Sequence, residues 1–204
     1  MTNKYIAFEG LDGSGKTTQS EMLVKKLEEL GEKVIWTREP GSPHIGFNVR
    51  DLLLDKDKKI SPNALELLFQ ADRAEHTTWI KEKLAEGYWI ISDRCYISGL
   101  AYAMSHGHSF EQLNKILEFS IKCKPRLVVV MDVSPETSVD RVIAKGSNTR
   151  EEARGLKVRH EIRNNFHSII HSSSNKNPSA FFIVDAETLT INDTHELICK
   201  VVGI

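Results

Sequence analysis

The chain has 204 residues, 40% of them hydrophobic and 27% charged, with a formal net charge of −1. That suits one soluble globular domain over residues 1–204 with a sizeable core, and the balanced charge argues against an electrostatic nucleic-acid binder. No apolar run approaches the roughly 18–20 residues that cross a bilayer. The N-terminus runs straight into a strand, and Cys95, Cys123 and Cys199 are sparse and form no C-x-x-C pair, so a cytoplasmic protein with no membrane partner is expected.

Lys4 to Glu9 reads as a short buried strand, Gly10-Leu11-Asp12-Gly13-Ser14-Gly15-Lys16-Thr17 follows it, and an apolar stripe at Leu23, Leu27 and Leu30 predicts a helix that stops at Gly31. Strand, glycine-rich loop and helix is the arrangement in which backbone N–H groups close around a phosphate. The helix N-terminus adds partial positive charge at the same spot. In such a loop Lys16 reaches the β- and γ-phosphates and the Thr17 hydroxyl binds Mg²⁺, so the chain is expected to bind a nucleoside triphosphate. Lys33 to Thr37 is the second strand. Ser61 as N-cap and Pro62 at the first helical position start a long helix that carries Leu65, Leu68, Phe69, Ile80 and Leu84 and ends at Gly87. Tyr88 to Ser92 is the third strand, a helix follows from about Arg94, and Ser109 with Gln112 forms a capping box for the next.

Arg126 to Asp132, nearly all apolar, is a fourth strand buried on both faces. Ser134-Pro135 opens a helix that stops at Gly146; residues 146–155, polar with two arginines and two glycines, read as a mobile lid. A helix runs from about Leu156 to Ser172, a polar loop from Ser172 to Ser179, a fifth strand from Phe181 to Asp185, and a final helix ends the chain. Alternating strands and helices predict an α/β protein: a three-layer α/β/α P-loop kinase fold with a five-stranded parallel sheet. His167 and His171, four residues apart, read as a solvated helix face without a third metal ligand, and His106-Gly107-His108 as a turn.

Several chemistries share the phosphate loop, and the rest of the chain chooses among them. A guanine-nucleotide switch needs N-K-x-D or T-K-x-D, which does not occur; a hydrolytic motor needs Asp-Glu after an apolar strand, whereas the fourth strand ends Met131-Asp132-Val133. Transfer to an acceptor is therefore expected, rather than hydrolysis.

Four further segments narrow the class: Phe8-Glu9 through the loop to Thr17-Thr18-Gln19; Thr37-Arg38-Glu39-Pro40-Gly41; Leu68-Phe69-Gln70-Ala71-Asp72-Arg73; and Asp93-Arg94 followed by Ser98-Gly99-Leu100-Ala101-Tyr102. In this order they resemble the thymidylate kinase family over nearly the whole chain, the strand Val130-Met131-Asp132-Val133-Ser134-Pro135-Glu136 included. The resemblance implies transfer of the γ-phosphoryl of ATP to dTMP with Mg²⁺, in a homodimer. It implies that Gly10 to Thr18 and Arg141 hold ATP, with Arg141 against adenine, and that Thr17 and Asp93 serve the metal, Asp93 through water or by orienting the acceptor. Arg38 and Arg94 then meet the acceptor phosphate, Phe69 stacks on thymine and Arg73 bonds one of its carbonyls. Asp12 contacts the 3′-hydroxyl and Tyr102 crowds the 2′ position, with Ser98 and Gly99 in the same substrate-binding segment. Some members carry an arginine where Gly13 stands here, so the catalytic cation is sought in the lid, at Arg150 and Arg154. Two positions depart from the family pattern. Ser42 replaces a second glycine, which alters how the backbone approaches the acceptor phosphate, and Cys95 replaces an aromatic residue or His, from which either a packing change or an altered base pocket follows. The alternatives are a kinase for another deoxynucleoside monophosphate or for a nucleoside, and a P-loop binding module that has lost catalysis.

Overall fold

A strand buried at nearly every position needs cover on both of its faces, and three of this chain's strands are of that kind. The computed structural model describes residues 3–146, 149–174 and 180–204. Strands β1 (Tyr5–Glu9), β2 (Val34–Arg38), β3 (Trp89–Asp93), β4 (Leu127–Asp132) and β5 (Phe181–Asp185) form one parallel sheet in the order β2-β3-β1-β4-β5. β1 and β3 are buried at every residue and β4 at all but its last. The five expected strands are thus present and parallel.

Parallel neighbours require crossover connections, and these are right-handed almost without exception. Helix α1 (Lys16–Glu29) carries the chain from β1 toward one sheet edge. Three connections run the opposite way: α2 (Gly46–Leu54) and α3 (Pro62–Ala85), then α4 (Tyr96–Ser105) and α5 (Phe110–Ser120), then α6 (Pro135–Lys145) and α7 (Gly155–Ser174). Right-handedness therefore puts α1 on one face and the α3, α4, α5 and α7 group on the other. Helix α8 (Ile191–Val202) returns to pack on α1, while α4 packs on α5 and α7. The core lies along the central strands, where Ile6, Phe8, Ile90, Ile91 and Val129 are fully buried.

The foreseen helix starts are present. Ser61 accepts from the Ala64 N–H ahead of Pro62, Ser134 accepts from Thr137, and Ser109 with Gln112 makes a full capping box. Helix α2 was not expected. It is nine residues long, and its N-cap, Ile45, offers no side-chain bond, so neither periodicity nor a cap announces it. Helix α4 begins at Tyr96 rather than at Arg94, because Arg94 has φ 78° and cannot belong to a right-handed helix. The segment read as an irregular lid is partly regular. Gly146 closes α6 in the left-handed region, Glu152–Arg154 form a 3₁₀ turn, and α7 opens at Gly155. Positions 147–148 of that lid, and 175–179 of the predicted polar loop, lie outside the described residues. Among the described residues no helix is long and apolar enough to cross a membrane.

Candidate active site

In an open parallel sheet, ligands gather at the carboxyl ends of the strands, where successive connections diverge to opposite faces. Here that point is the end of β1, between β3 and β4. A cavity of about 570 Å³ opens there, lined from the phosphate loop at one end to α3 at the other, a size that suits a small organic ligand.

The loop end comes first. Gly15 is the N-cap of α1 at φ 95° and no side chain caps the helix, so its leading N–H groups are left for an anion. Lys16 is 5% exposed, and its Nζ donates to the Leu11 carbonyl at 2.7 Å. Burial, and then the charge of Arg94, lower its pKa to about 8. The Thr17 hydroxyl donates to Asp93 Oδ2, while Asp93 Oδ1 is buried with no partner among the described residues. At Gly13 (φ 78°) a Cβ would stand 3.0 Å from the Ser138 carbonyl and 3.1 Å from Arg141 Cβ. Helix α6 thus leaves no room for a side chain on the loop. Arg141 lines the cavity from α6, donating to the Gly13 and Ala186 carbonyls at 3.4 and 3.2 Å.

Past the loop, the positive φ of Arg94 turns its guanidinium back over β1. Such a conformation is uncommon outside glycine and concentrates at functional sites. Arg94 donates to Asp12, to Ser98 Oγ at 2.7 Å and to the Tyr102 hydroxyl at 3.2 Å, and it lies 5.1 Å from the Tyr102 ring centre. Burial works to raise the Asp12 carboxyl, but the charges of Arg94, Lys16 and Arg159 outweigh it and hold the group below the ordinary carboxylate value. Beneath lies Glu9, which accepts from the Cys95 and Ser98 N–H groups at 2.8 and 2.9 Å and from the Ser98 hydroxyl. Burial pushes its carboxyl up. Glu9 therefore caps the start of α4 and fixes Ser98 against Arg94.

Two more cations line the cavity from the β2 side. Arg38 is exposed at the strand end, and Arg50, on the unforeseen α2, donates to the Pro40 carbonyl. Burial and the nearby Arg38 charge lower the Arg50 pKa. The loop between β2 and α2 is tied down by Asp72, which accepts from the Gly41 and Ser42 N–H groups at 2.9 and 3.0 Å.

The far wall belongs to α3. Phe69 and Arg73, four residues apart, share its cavity face. Arg73 is 3% exposed and its Nε donates to Glu39 Oε2 at 3.0 Å; Glu39 Oε1 pairs with His76 Nδ1 at 3.3 Å, and His76 Nε2 meets the Thr37 hydroxyl at 2.7 Å. Burial opposes ionisation of Glu39, yet the Arg73 charge and the His76 contact prevail and hold its pKa down. The guanidinium lies on Gly99, where a Cβ would come within 2.5 Å of Nη2.

The structure thus gathers Asp12, Gly13 and Gly15 to Thr18 of the loop, with Arg38, Phe69, Arg73, Asp93, Arg94, Ser98, Gly99, Tyr102 and Arg141, around one cavity, which Gly10, Leu11 and Ser14 do not line among the described residues. It does not bring Arg150 or Arg154 there. Arg150 donates to the Leu53, Asp55 and Lys58 carbonyls, and Arg154 to Ser105 and Glu151. Cys95 is 1% exposed in the core and does not line the cavity among the described residues, and the Ser42 hydroxyl is buried without a partner there. Sequence reasoning missed Arg50, Glu66, His106 and His108, all of which line the cavity. The spacing of Glu66 and Phe69, three apart on one helix face, was the one available signal.

The thymidylate kinase family profile matches residues 8–198. A thymidylate kinase of Caldicellulosiruptor saccharolyticus is 34% identical over 99% of this chain and 97% of its own length. One from Campylobacter concisus is 40% identical over 74% of this chain and 77% of its own. The crystal structure of the Ehrlichia chaffeensis thymidylate kinase superposes with a TM-score of 0.76 at 28% identity, covering 97% of both chains.

Proposed function

The chain belongs to the thymidylate kinase family, and we propose how its residues divide the work of that reaction. It phosphorylates dTMP to dTDP with ATP as phosphoryl donor. The observation that carries the assignment of roles is the single cavity with a phosphate loop at one end and the Phe69–Arg73 wall at the other.

Bringing two polyanions together is opposed by their charge, so catalysis of this transfer is positioning plus electrostatic stabilisation. Lys16 and the N–H groups of Gly10 to Thr18 hold the ATP phosphates, with Arg141 beside the adenine. The acceptor phosphate lies among Arg38, Arg50 and Arg94, where cations from two sides offset its charge. Phe69 stacks on thymine and Arg73, held by Glu39, donates to a thymine carbonyl. Asp12 receives the sugar 3′-hydroxyl, while Tyr102 fills the space a 2′-hydroxyl needs, next to Ser98 and Gly99.

Mg²⁺ fits this site. Thr17 and Asp93 are hard oxygen donors in contact with each other, and Asp93 Oδ1 is a buried acceptor with no partner among the described residues. When bound, the ion neutralises charge on the β- and γ-phosphates. Arg150 and Arg154 act on the phosphoryl group by exchanging their present carbonyl and carboxylate partners for it when the lid closes over ATP. Family membership also supports a cytoplasmic homodimer.

The test is ADP release from the purified chain with ATP and Mg²⁺, compared across dTMP, dUMP, dCMP, dGMP and thymidine. Release driven chiefly by dTMP is expected. Release driven best by another acceptor reassigns the base pocket, and none with any acceptor makes the chain a binding module.

A further inference from the structure

Glu66, Phe69 and Arg73 fall at i, i+3 and i+7 of α3 and line the same end of the cavity. Glu66 is 6% exposed, and a carboxyl that deep is costly unless something uses it. Its Oε1 accepts from Gln70 Nε2 at 2.6 Å, and Gln70 Oε1 accepts from the Ser120 hydroxyl at 2.7 Å. The side chain is thereby oriented from α5 through Gln70. Its Oε2 accepts from no described residue. Arg73 mirrors this: Nε is engaged by Glu39, while Nη1 is buried without a partner among the described residues. One helix face thus offers the cavity an unused acceptor and an unused donor on either side of Phe69.

We propose that Glu66 is a specificity-determining residue for the acceptor base, its carboxylate accepting the N3–H of thymine beside the carbonyl that Arg73 serves. The inference deepens the reading of Phe69 and Arg73 as the base end of the site and rests on it. The physical reason is complementarity. The imide edge of thymine presents a carbonyl acceptor next to an N–H donor, and a guanidinium next to a carboxylate is its match. Cytosine presents an amino group next to an unprotonated ring nitrogen, so against the same pair it must shift its register over Phe69. Burial pushes the Glu66 carboxyl up, while Gln70, Arg73, His108 and His106 draw it back toward the ionised form that accepts.

The experiment measures kcat and KM by ADP release with dTMP, N3-methyl-dTMP and dCMP for the wild type, Glu66→Ala and Glu66→Gln. The wild type is expected to favour dTMP strongly over both other acceptors. Glu66→Ala should raise the KM for dTMP about 10- to 100-fold, the loss of one charge-assisted bond. Its KM for ATP should stay put, and the preference for dTMP over the N3-methyl analogue should collapse. In Glu66→Gln the Gln70 donor keeps the new carbonyl, so the amide NH₂ faces the base and the dTMP to dCMP ratio should fall. That isosteric variant decides the matter if Glu66→Ala does not fold. An unchanged dTMP to dCMP ratio in Glu66→Gln, an unchanged methyl discrimination in folded Glu66→Ala, or a wild type that takes dCMP as readily as dTMP overturns the proposal. A wild type that does not use dTMP at all overturns the underlying base-site reading instead.

Discussion

Replacing Gly99 by alanine puts a methyl group where the Arg73 guanidinium now lies. The new Cβ would stand 2.5 Å from Nη2, 2.7 Å from Cζ and 2.8 Å from Nη1. Ordinary contact begins at 3.4 Å, so the group must retreat by about 0.9 Å. A free arginine end would do so cheaply, but this one is not free. Its Nε is held by Glu39, and Glu39 is held in turn by His76, which is fully buried against Thr37. The strain is shared between a shifted guanidinium and a loosened buried pair, at a stability cost of about 1–3 kcal/mol. A displacement of that size in a substrate-positioning group costs about 10²-fold in kcat/KM. Gly99→Ala is therefore expected to lose about two orders of magnitude in kcat/KM for dTMP, chiefly through KM, with the KM for ATP within about threefold. Steady-state kinetics and a thermal melt read the two effects. In an Arg73→Ala background the clash has no partner, so adding Gly99→Ala should cost almost nothing more. Additive losses in that double variant, or a single variant with wild-type KM for dTMP, would refute the reasoning.

Four other outcomes test the remaining residue roles. Lys16→Ala should cut kcat by at least about 10²-fold in a folded protein. Because burial and then Arg94 lower the Lys16 pKa to about 8, the lysine loses its charge above that value, so kcat/KM for ATP should fall as pH rises through it. The kcat should stay level there, since bound phosphates favour the protonated amine; a flat kcat/KM profile excludes Lys16 as the titrating group. Tyr102→Ala should make ribo-TMP a better acceptor relative to dTMP, and an unchanged ratio moves ribose discrimination elsewhere. Arg150→Ala should depress turnover by up to about 10³-fold with ATP binding little changed, Arg154→Ala less so; near wild-type rates in the double variant would take the catalytic cation out of the lid.

The sequence alone determined the strands, because central parallel strands are near-continuous apolar runs, and it determined the phosphate loop, because glycines and a lysine at fixed spacing have few other uses. It also determined most helix starts, since Ser61, Ser109 and Ser134 act within one turn of their own backbone. What it left open was decided by contacts between distant segments. Helix α2 has no local cap and forms by packing on α3, so Arg50 was invisible as a cavity residue. The sequence left Cys95 open between a packing change and an altered base pocket; it lies in the core, because the positive φ of Arg94 delays the start of α4 and Glu9 of β1 accepts from its first N–H groups. Arg150 and Arg154 looked like free lid charges, yet carbonyls 92 to 97 residues away along the chain hold the first and Ser105 holds the second. Local backbone chemistry is written in neighbouring residues; which charge meets which partner depends on packing across the fold, and only the tertiary structure states it.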